Sequence, residues 1–225
     1  MKKINVAIDG PSGAGKSTVS KEVAKRLGYT FISSGSVYRA IAYVVSNKNI
    51  DPKDEKAVNA ILDDQILKIS LDEHERIYSD GVDISSLIRA DKISKISSDI
   101  AVYKHVREYV VKYIQQITKA KKGYIMDGRD TTYRIMPYAE VKIFLTATAH
   151  ERANRRILQN KELGYNTNFH QVLKEVQARD EQDSNRKNDP LKIVDDAYVI
   201  NCTEMNFEAV VVEIIRLIKA VVNEK

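Results

Sequence analysis

The sequence contains no tryptophan, a single cysteine (Cys202), 4 prolines and 9 glycines in 225 residues. One cysteine excludes a disulfide framework, a paired-cysteine metal site and a CxxC redox motif, and it implies a reducing compartment. The low Pro and Gly content excludes collagen-like and low-complexity chains. No uncharged run approaches the roughly 18 apolar residues needed to span a membrane. The N-terminal MKKINVAIDG carries two lysines before an apolar stretch too short for a signal peptide. A cytoplasmic protein without a membrane segment is therefore expected. Nor is charge strongly one-sided: 36 Lys+Arg stand against 31 Asp+Glu, giving +5. That excess suits phosphate-bearing ligands without demanding a nucleic-acid partner. The 12 tyrosines are scattered, with no aromatic and basic platform on which bases would stack, so no nucleic-acid partner is expected.

With 43% hydrophobic residues the chain can bury a core without covalent staples, and its length suits one domain with inserted lobes. Short β-branched runs alternate with longer helical patterns. Strands are expected at Ile4 to Ile8, Thr30 to Ile32, Tyr124 to Met126, Val141 to Leu145 and Tyr198 to Ile200. Such alternation predicts an α/β/α fold with a five-stranded parallel sheet and helices on both faces. Two stretches break it. Between about residues 65 and 97, QILKISLDEHERIYSDGVDIS alternates apolar and polar residues across Asp80 and Gly81, as a small antiparallel insertion would. From about 150 to 192 a charged helical segment ends in the loop-like SNRKNDP. The stretch from Phe207 to Val222 reads as an amphipathic helix.

Gly10, Pro11, Ser12, Gly13, Ala14, Gly15, Lys16, Ser17 and Thr18 spell GPSGAGKST, the GxxxxGKS phosphate-loop motif, between a predicted strand and a predicted helix over Thr18 to Leu27. Glycines let backbone N–H groups converge on an anion, and the helix N-terminus adds partial positive charge. Lys16 is expected on the β- and γ-phosphates of a nucleoside triphosphate and the Ser17 hydroxyl on Mg²⁺. Asp127 ends an apolar run, hence a strand, and would sit beside the phosphate loop if the two strands are neighbours. It is a candidate for the Mg²⁺ shell, with capping of the next turn as the alternative.

A triphosphate site fits a switch, a motor or a small-molecule kinase. A guanine-binding switch usually carries NKxD, but the run from Asn47 to Asp51 has one residue too many and reads as a loop. Arginines instead punctuate the predicted elements: Arg39, Arg107, Arg129, and Arg152, Arg155 and Arg156 in ERANRR. A second anionic substrate would explain them. Arg152 and Arg156 share a helix face, so this segment could clamp a transferring phosphoryl group; a solvated face paired with Glu151 or Glu162 is the bland alternative. A nucleotide-dependent switch or RNA-binding protein is the rival class.

GPSGAGKST, SSGSVYRA, SSDIA with VRE nine residues beyond Ser98, DGRD, KIFLTA, ERANRR and ARDEQDSNR follow one another in an order that resembles the bacterial cytidylate kinases, P-loop nucleoside monophosphate kinases, from Ile4 to Lys219. The resemblance implies transfer of the γ-phosphate of ATP to CMP or dCMP with Mg²⁺, by a monomer. It implies an acceptor-binding lobe over 33–107, including the insertion, and a lid over 150–192, whose closure would exclude water. By the same resemblance Ser34, Arg39 and Arg129 hold the acceptor phosphate with Tyr38 beside them. Ser98, Arg107 and Arg186 contact the cytosine, Arg179 and Asp183 the ribose, and Asp130 orients the arginines. The residues suit those tasks: arginine forks bind phosphate oxygens in pairs, and a carboxylate accepts from ribose hydroxyls. Base selection is looser, because a serine hydroxyl can serve either pyrimidine, leaving UMP or another anionic acceptor as the alternative. Read without the family, ARDEQDSNR is equally a charged helix end.

The resemblance breaks in two places. Ser33 stands where the family usually has Asp, and after GRD the usual Gly-Thr and apolar pair are replaced by Thr131, Thr132, Tyr133, Arg134, Ile135 and Met136. A residue permissive of positive φ is lost and a ring and a charge are gained, which bears on the acceptor pocket and its strictness for CMP.

Overall fold

The computed structural model describes residues 2–62, 67–72, 76–162, 164, 165 and 167–223. They fall into two compact units, one of Met1–Tyr29 with Lys122–Lys225 and one of Thr30–Lys121.

The strands expected from the apolar runs are present: β1 (Val6–Asp9), β2 (Thr30–Ser33), β6 (Tyr124–Gly128), β7 (Val141–Thr146) and β8 (Tyr198–Asn201), in a five-stranded parallel sheet of order β2-β6-β1-β7-β8. β1 and β6 are buried at every position, as strands covered on both faces must be. Parallel pairing sets Val6 opposite Ile125 and Val141, and Asp9 opposite Gly128 and Phe144. The carboxyl ends of β1 and β6 therefore finish at one level, with β7 running on to Thr146 beside them, at the place where open α/β sheets bind ligands. Asp127 lies opposite Ile8, so its strand does neighbour the one that leads into the phosphate loop.

Helix α1 (Lys16–Leu27) starts two residues earlier than the sequence suggests, with the motif lysine in its first turn. It ends at Gly28 in the left-handed region, after Lys25 and Arg26 in the last turn. It packs against α8 (Phe207–Asn223), the expected amphipathic helix, whose buried residues Val210, Val211, Ile214, Leu217, Ile218 and Val222 recur at helical spacing. Arg26 bonds both carboxylate oxygens of Glu208, at 2.6 and 2.7 Å. In the same unit α6 (Ala149–Glu162) and α7 (Phe169–Asn185) pack through Ala153, Val172 and Val176. Asn168 caps α7, its side chain accepting from the N–H groups of His170 and Gln171. SNRKNDP becomes a loop only from Arg186, since Ser184 and Asn185 complete α7.

The second unit holds α2 (Ser34–Asn47), α3 (Glu55–Ala60), α4 (Asp91–Ile100) and α5 (Lys104–Ala120). α2 packs on both α4 and α5. The insertion is an antiparallel sheet β3-β4-β5 (Ile69–Leu71, Ile77–Ser79, Val82–Asp83), with Asp80 (φ 52) and Gly81 (φ 78) in the tight turn. Its strands end at Asp83, and a 3-10 turn (Leu87–Arg89) and the start of α4 occupy what remains before residue 97. Residues 65, 66 and 73–75 of the expected insertion, and residues 163 and 166 of the expected lid, lie outside the described residues. Among the described residues no helix is long and apolar enough to cross a membrane.

Candidate nucleotide and phosphate site

The phosphate loop leaves β1 at Gly10, whose backbone lies so close to β7 that an added Cβ would sit 1.9 Å from the Leu145 carbonyl oxygen. Only glycine permits that approach. Gly13 (φ 78) packs on Arg152, where a Cβ would meet the Arg152 Cβ at 3.1 Å. Pro11, Ser12, Ala14 and Gly15 complete the turn before Lys16 and Ser17 open α1, followed by Thr18.

Lys16 is buried, and its Nζ donates to the Pro11 carbonyl oxygen at 2.8 Å. Burial pushes this ammonium down from 10.5 to about 7, and neighbouring Arg129 pushes the same way against the pull of Asp127, Asp9 and Asp183. Ser17 Oγ hydrogen-bonds to the Asp127 carboxylate, joining the two residues expected at the metal. Among the described residues no group of three or more His, Cys, Asp or Glu side chains could hold a metal ion. A hydroxyl beside a carboxylate suits Mg²⁺ instead, an ion that takes one or two protein oxygens and completes its shell with phosphate oxygens and water.

Arg129 donates from Nε to Asp183 on α7 at 2.7 Å. Arg179 lies one helical turn before Asp183, and burial lowers its pKa, assisted by Arg129 and Arg156 and opposed by Asp183. Arg179 thus stands within the fields of both Arg129 and Arg156, and Lys16 within that of Arg129. Like charges held together in this way suit an anion.

The run ERANRR does not share one setting. Arg152 is buried and donates from Nε to the Ala147 carbonyl at 2.9 Å and from Nη1 to the Ser12 carbonyl at 3.0 Å. Its fork grips Asp180, with the Nη1 contact at 2.8 Å. Arg155 pairs with Glu151 at 2.9 Å and donates to the carbonyls of Cys202, at 2.8 Å, and Ala14, at 3.4 Å. Each therefore gives one donor to a carbonyl of the phosphate loop and the rest to its surroundings, whereas Arg156 lies by Arg179. The helix period put Arg152 and Arg156 on one face, but the two guanidinium groups have different surroundings.

Asp9 carried no signal beyond its place before the first loop glycine, yet it organises the segment after DGRD. Its buried carboxylate accepts from the Thr131 N–H at 2.9 Å, the Thr132 N–H at 2.8 Å and the Thr132 hydroxyl at 2.7 Å. Thr131–Ile135 form one π turn, and no residue from 131 to 136 has positive φ. The glycine missing at this place therefore leaves no backbone strain behind it. Asp130 is buried beside the turn, 3.4 Å from Arg186 Nη2.

In the second unit Ser34 is buried in the first turn of α2, which also carries Tyr38 and Arg39. An added Cβ at Gly35 would lie 3.5 Å from Arg39 Nη1 and 3.6 Å from Ser33 Oγ, so Arg39 folds back over the helix start. Arg107 on α5 is buried, its guanidinium 5.9 Å from the Tyr38 ring centre, and donates to the Ala101 carbonyl at 3.1 Å. Ser98 on α4 bonds back to the Ser94 carbonyl at 3.2 Å. Within this unit, then, Ser34, Tyr38, Arg39 and Arg107 gather at α2, while Ser98 sits on a helix packed against it.

The sequence model of the family described as cytidylate kinase matches residues 6–220. A cytidylate kinase of Mycoplasmopsis agalactiae is 55% identical over 217 residues, 96% of this chain and 97% of its own. That of Caldicellulosiruptor bescii is 44% identical over 226 residues, covering all of both chains. Among solved structures, an uncharacterized protein from Eubacterium ventriosum superposes with a TM-score of 0.57 at 12% identity, covering 96% of this chain and 99% of that one, a likeness of fold alone. The motifs running from the phosphate loop to ARDEQDSNR and the match over nearly the whole length agree: the chain belongs to the cytidylate kinase family.

Proposed function

We propose that this chain transfers the γ-phosphate of ATP to CMP or dCMP, giving ADP and CDP or dCDP. The observation that carries the reading is a run of neighbouring cations that starts at the phosphate loop: Lys16 lies in the field of Arg129, and Arg179 in those of Arg129 and Arg156. Cations linked in this way, with Asp183 as the carboxylate shared by Arg129 and Arg179, suit phosphoryl oxygens.

In this reading the backbone of Gly10, Pro11, Ser12, Gly13, Ala14 and Gly15, with Thr18, cradles the ATP phosphates, and Lys16 follows the charge developing on the transferring group. Ser17 and Asp127 hold Mg²⁺, which when bound neutralises phosphate charge. The acceptor phosphate has a second pKa of about 6, so it is largely ionised at neutral pH and no side chain is needed as a base. What this chain supplies is alignment and charge. Ser34, Arg39 and Arg129 hold the acceptor phosphate, with Tyr38 packed beside them. Ser98, Arg107 and Arg186 contact the cytosine, Arg179 and Asp183 the ribose, and Asp130 orients the arginines. Arg156 stabilises the transferring phosphoryl group, while Arg152 and Arg155 contribute by bracing the loop beneath it. Residues 33–107 serve as the acceptor lobe and 150–192 as the lid, and the chain works as a cytoplasmic monomer.

The test is ADP release from ATP and Mg²⁺ with CMP, dCMP, UMP, AMP, GMP or no acceptor in parallel. CMP and dCMP well ahead of the others is the expected result. UMP equal to CMP would favour a broader pyrimidine kinase, whereas release without an acceptor, or none with any, would refute the reading.

A further inference from the structure

The residues that replace the usual ones after DGRD reach out to the loop that follows α7. Tyr133 donates its hydroxyl to the Pro190 carbonyl at 2.5 Å, and Lys192 Nζ stands 4.3 Å from the centre of its ring. Arg134 Nε lies 3.5 Å from Asp189 Oδ1. Asp189 is left-handed (φ 47), a conformation that a non-glycine residue keeps when its surroundings hold it there. Its carbonyl accepts from Arg186 Nε at 2.7 Å, and the N–H of Leu191 ties the loop back to the Asp183 carbonyl at 2.8 Å. The contacts form a chain: Tyr133 and Arg134 hold residues 189 and 190, the turn at Asp189 holds Arg186 by one edge, and Asp130 faces its Nη2.

We infer that Tyr133, assisted by Arg134, is a positioning residue that latches the loop after α7 and thereby aims Arg186 at the acceptor base. The inference rests on the reading of Arg186 as a cytosine contact. Selection follows from the chemistry of the ring. N3 of cytosine is an acceptor and suits a guanidinium donor, whereas N3 of uracil carries a proton and opposes one. An arginine held by one edge presents the rest in a fixed direction, while a loose one adapts to either base.

The test compares wild type, Tyr133→Phe and Tyr133→Ala in two measurements. In steady-state kinetics, Tyr133→Ala is expected to raise KM for CMP about 3- to 10-fold, the range set by the net contribution of one hydrogen bond. KM for ATP should stay unchanged, and the preference for CMP over UMP should fall by a similar factor. Tyr133→Phe, which keeps the ring beneath Lys192, should show a smaller change in the same direction. In amide exchange, Leu191 should lose protection in both variants. Unchanged Leu191 exchange would overturn the latch. Equal changes in both KM values, or a change in melting temperature alone, would make Tyr133 merely structural and overturn its role in aiming Arg186. Should Tyr133→Ala fail to fold, Tyr133→Phe decides. A wild-type chain inactive on CMP and dCMP would overturn the kinase reading and with it the role of Arg186, while Leu191 exchange would still report on the latch itself.

Discussion

Arg129 and Asp183 are 54 positions apart in the chain and meet at 2.7 Å, one from the end of β6 and the other from α7. The carboxylate accepts from Nε of a guanidinium that the proposed function assigns to phosphate. The pair is only partly exposed, at 21% and 13% of the side-chain surfaces, so the two groups interact in a setting drier than bulk water.

Replacing Arg129 by Ala is expected to lower kcat/KM by about 100- to 1000-fold, the usual loss for a donor aimed at developing charge. The fold should survive. Thermal melting beside steady-state rates checks this, and near wild-type turnover would remove Arg129 from the mechanism.

Lys16→Met should abolish turnover and, without nucleotide, alter the pH dependence of stability. The folded-state value of about 7 lies below the ordinary 10.5, so between these limits the unfolded chain binds more protons than the folded one. The burial penalty is complete below pH 7 and is relieved as pH rises toward 10.5. Wild-type stability therefore contains a component that rises with pH from 7 upward, and this component should be missing in the variant. Urea unfolding at pH 7 and 9 measures the difference.

Asp9→Asn should destabilise the protein by about 2 to 3 kcal/mol, because an amide nitrogen would face the Thr131 and Thr132 donors and leave at least one of them unpaired. Calorimetry gives the cost. Amide exchange at Thr131 and Thr132 should accelerate with it.

Asp127→Asn keeps the shape of the carboxylate and removes its charge. The half-saturating Mg²⁺ concentration is expected to rise about 10-fold, in line with weakened metal ligation. Titration of activity with Mg²⁺ at fixed ATP shows the shift, and an unchanged midpoint would confine Asp127 to its hydrogen bond with Ser17.

Gly10→Ala should fail to accumulate as folded protein. A Cβ placed 1.9 Å from the Leu145 carbonyl oxygen meets backbone in a neighbouring strand, which cannot rotate away as a side chain could. Expression with circular dichroism settles the point.

What the chain declares by itself is local. Five short β-branched runs and the strand, glycine loop and helix around Lys16 are written in consecutive residues, so the sheet and the phosphate loop were legible before any coordinates. The amphipathic period of Phe207–Asn223 was legible for the same reason. Side-chain partners across long separations were not. Nothing near Asp9 announces that its carboxylate is satisfied by Thr131 and Thr132, 122 and 123 positions away. Nor could helical spacing tell that Arg152 turns inward to Asp180 and the Ser12 carbonyl while Arg156 stands with Arg179, since a period assigns faces but not what packs against them. The glycine missing after GRD leaves the sequence silent on the backbone there, which the structure resolves as a π turn held by Asp9 without a positive φ. Local propensity chose the elements of this protein, and only the packing of distant segments decided which charges face one another.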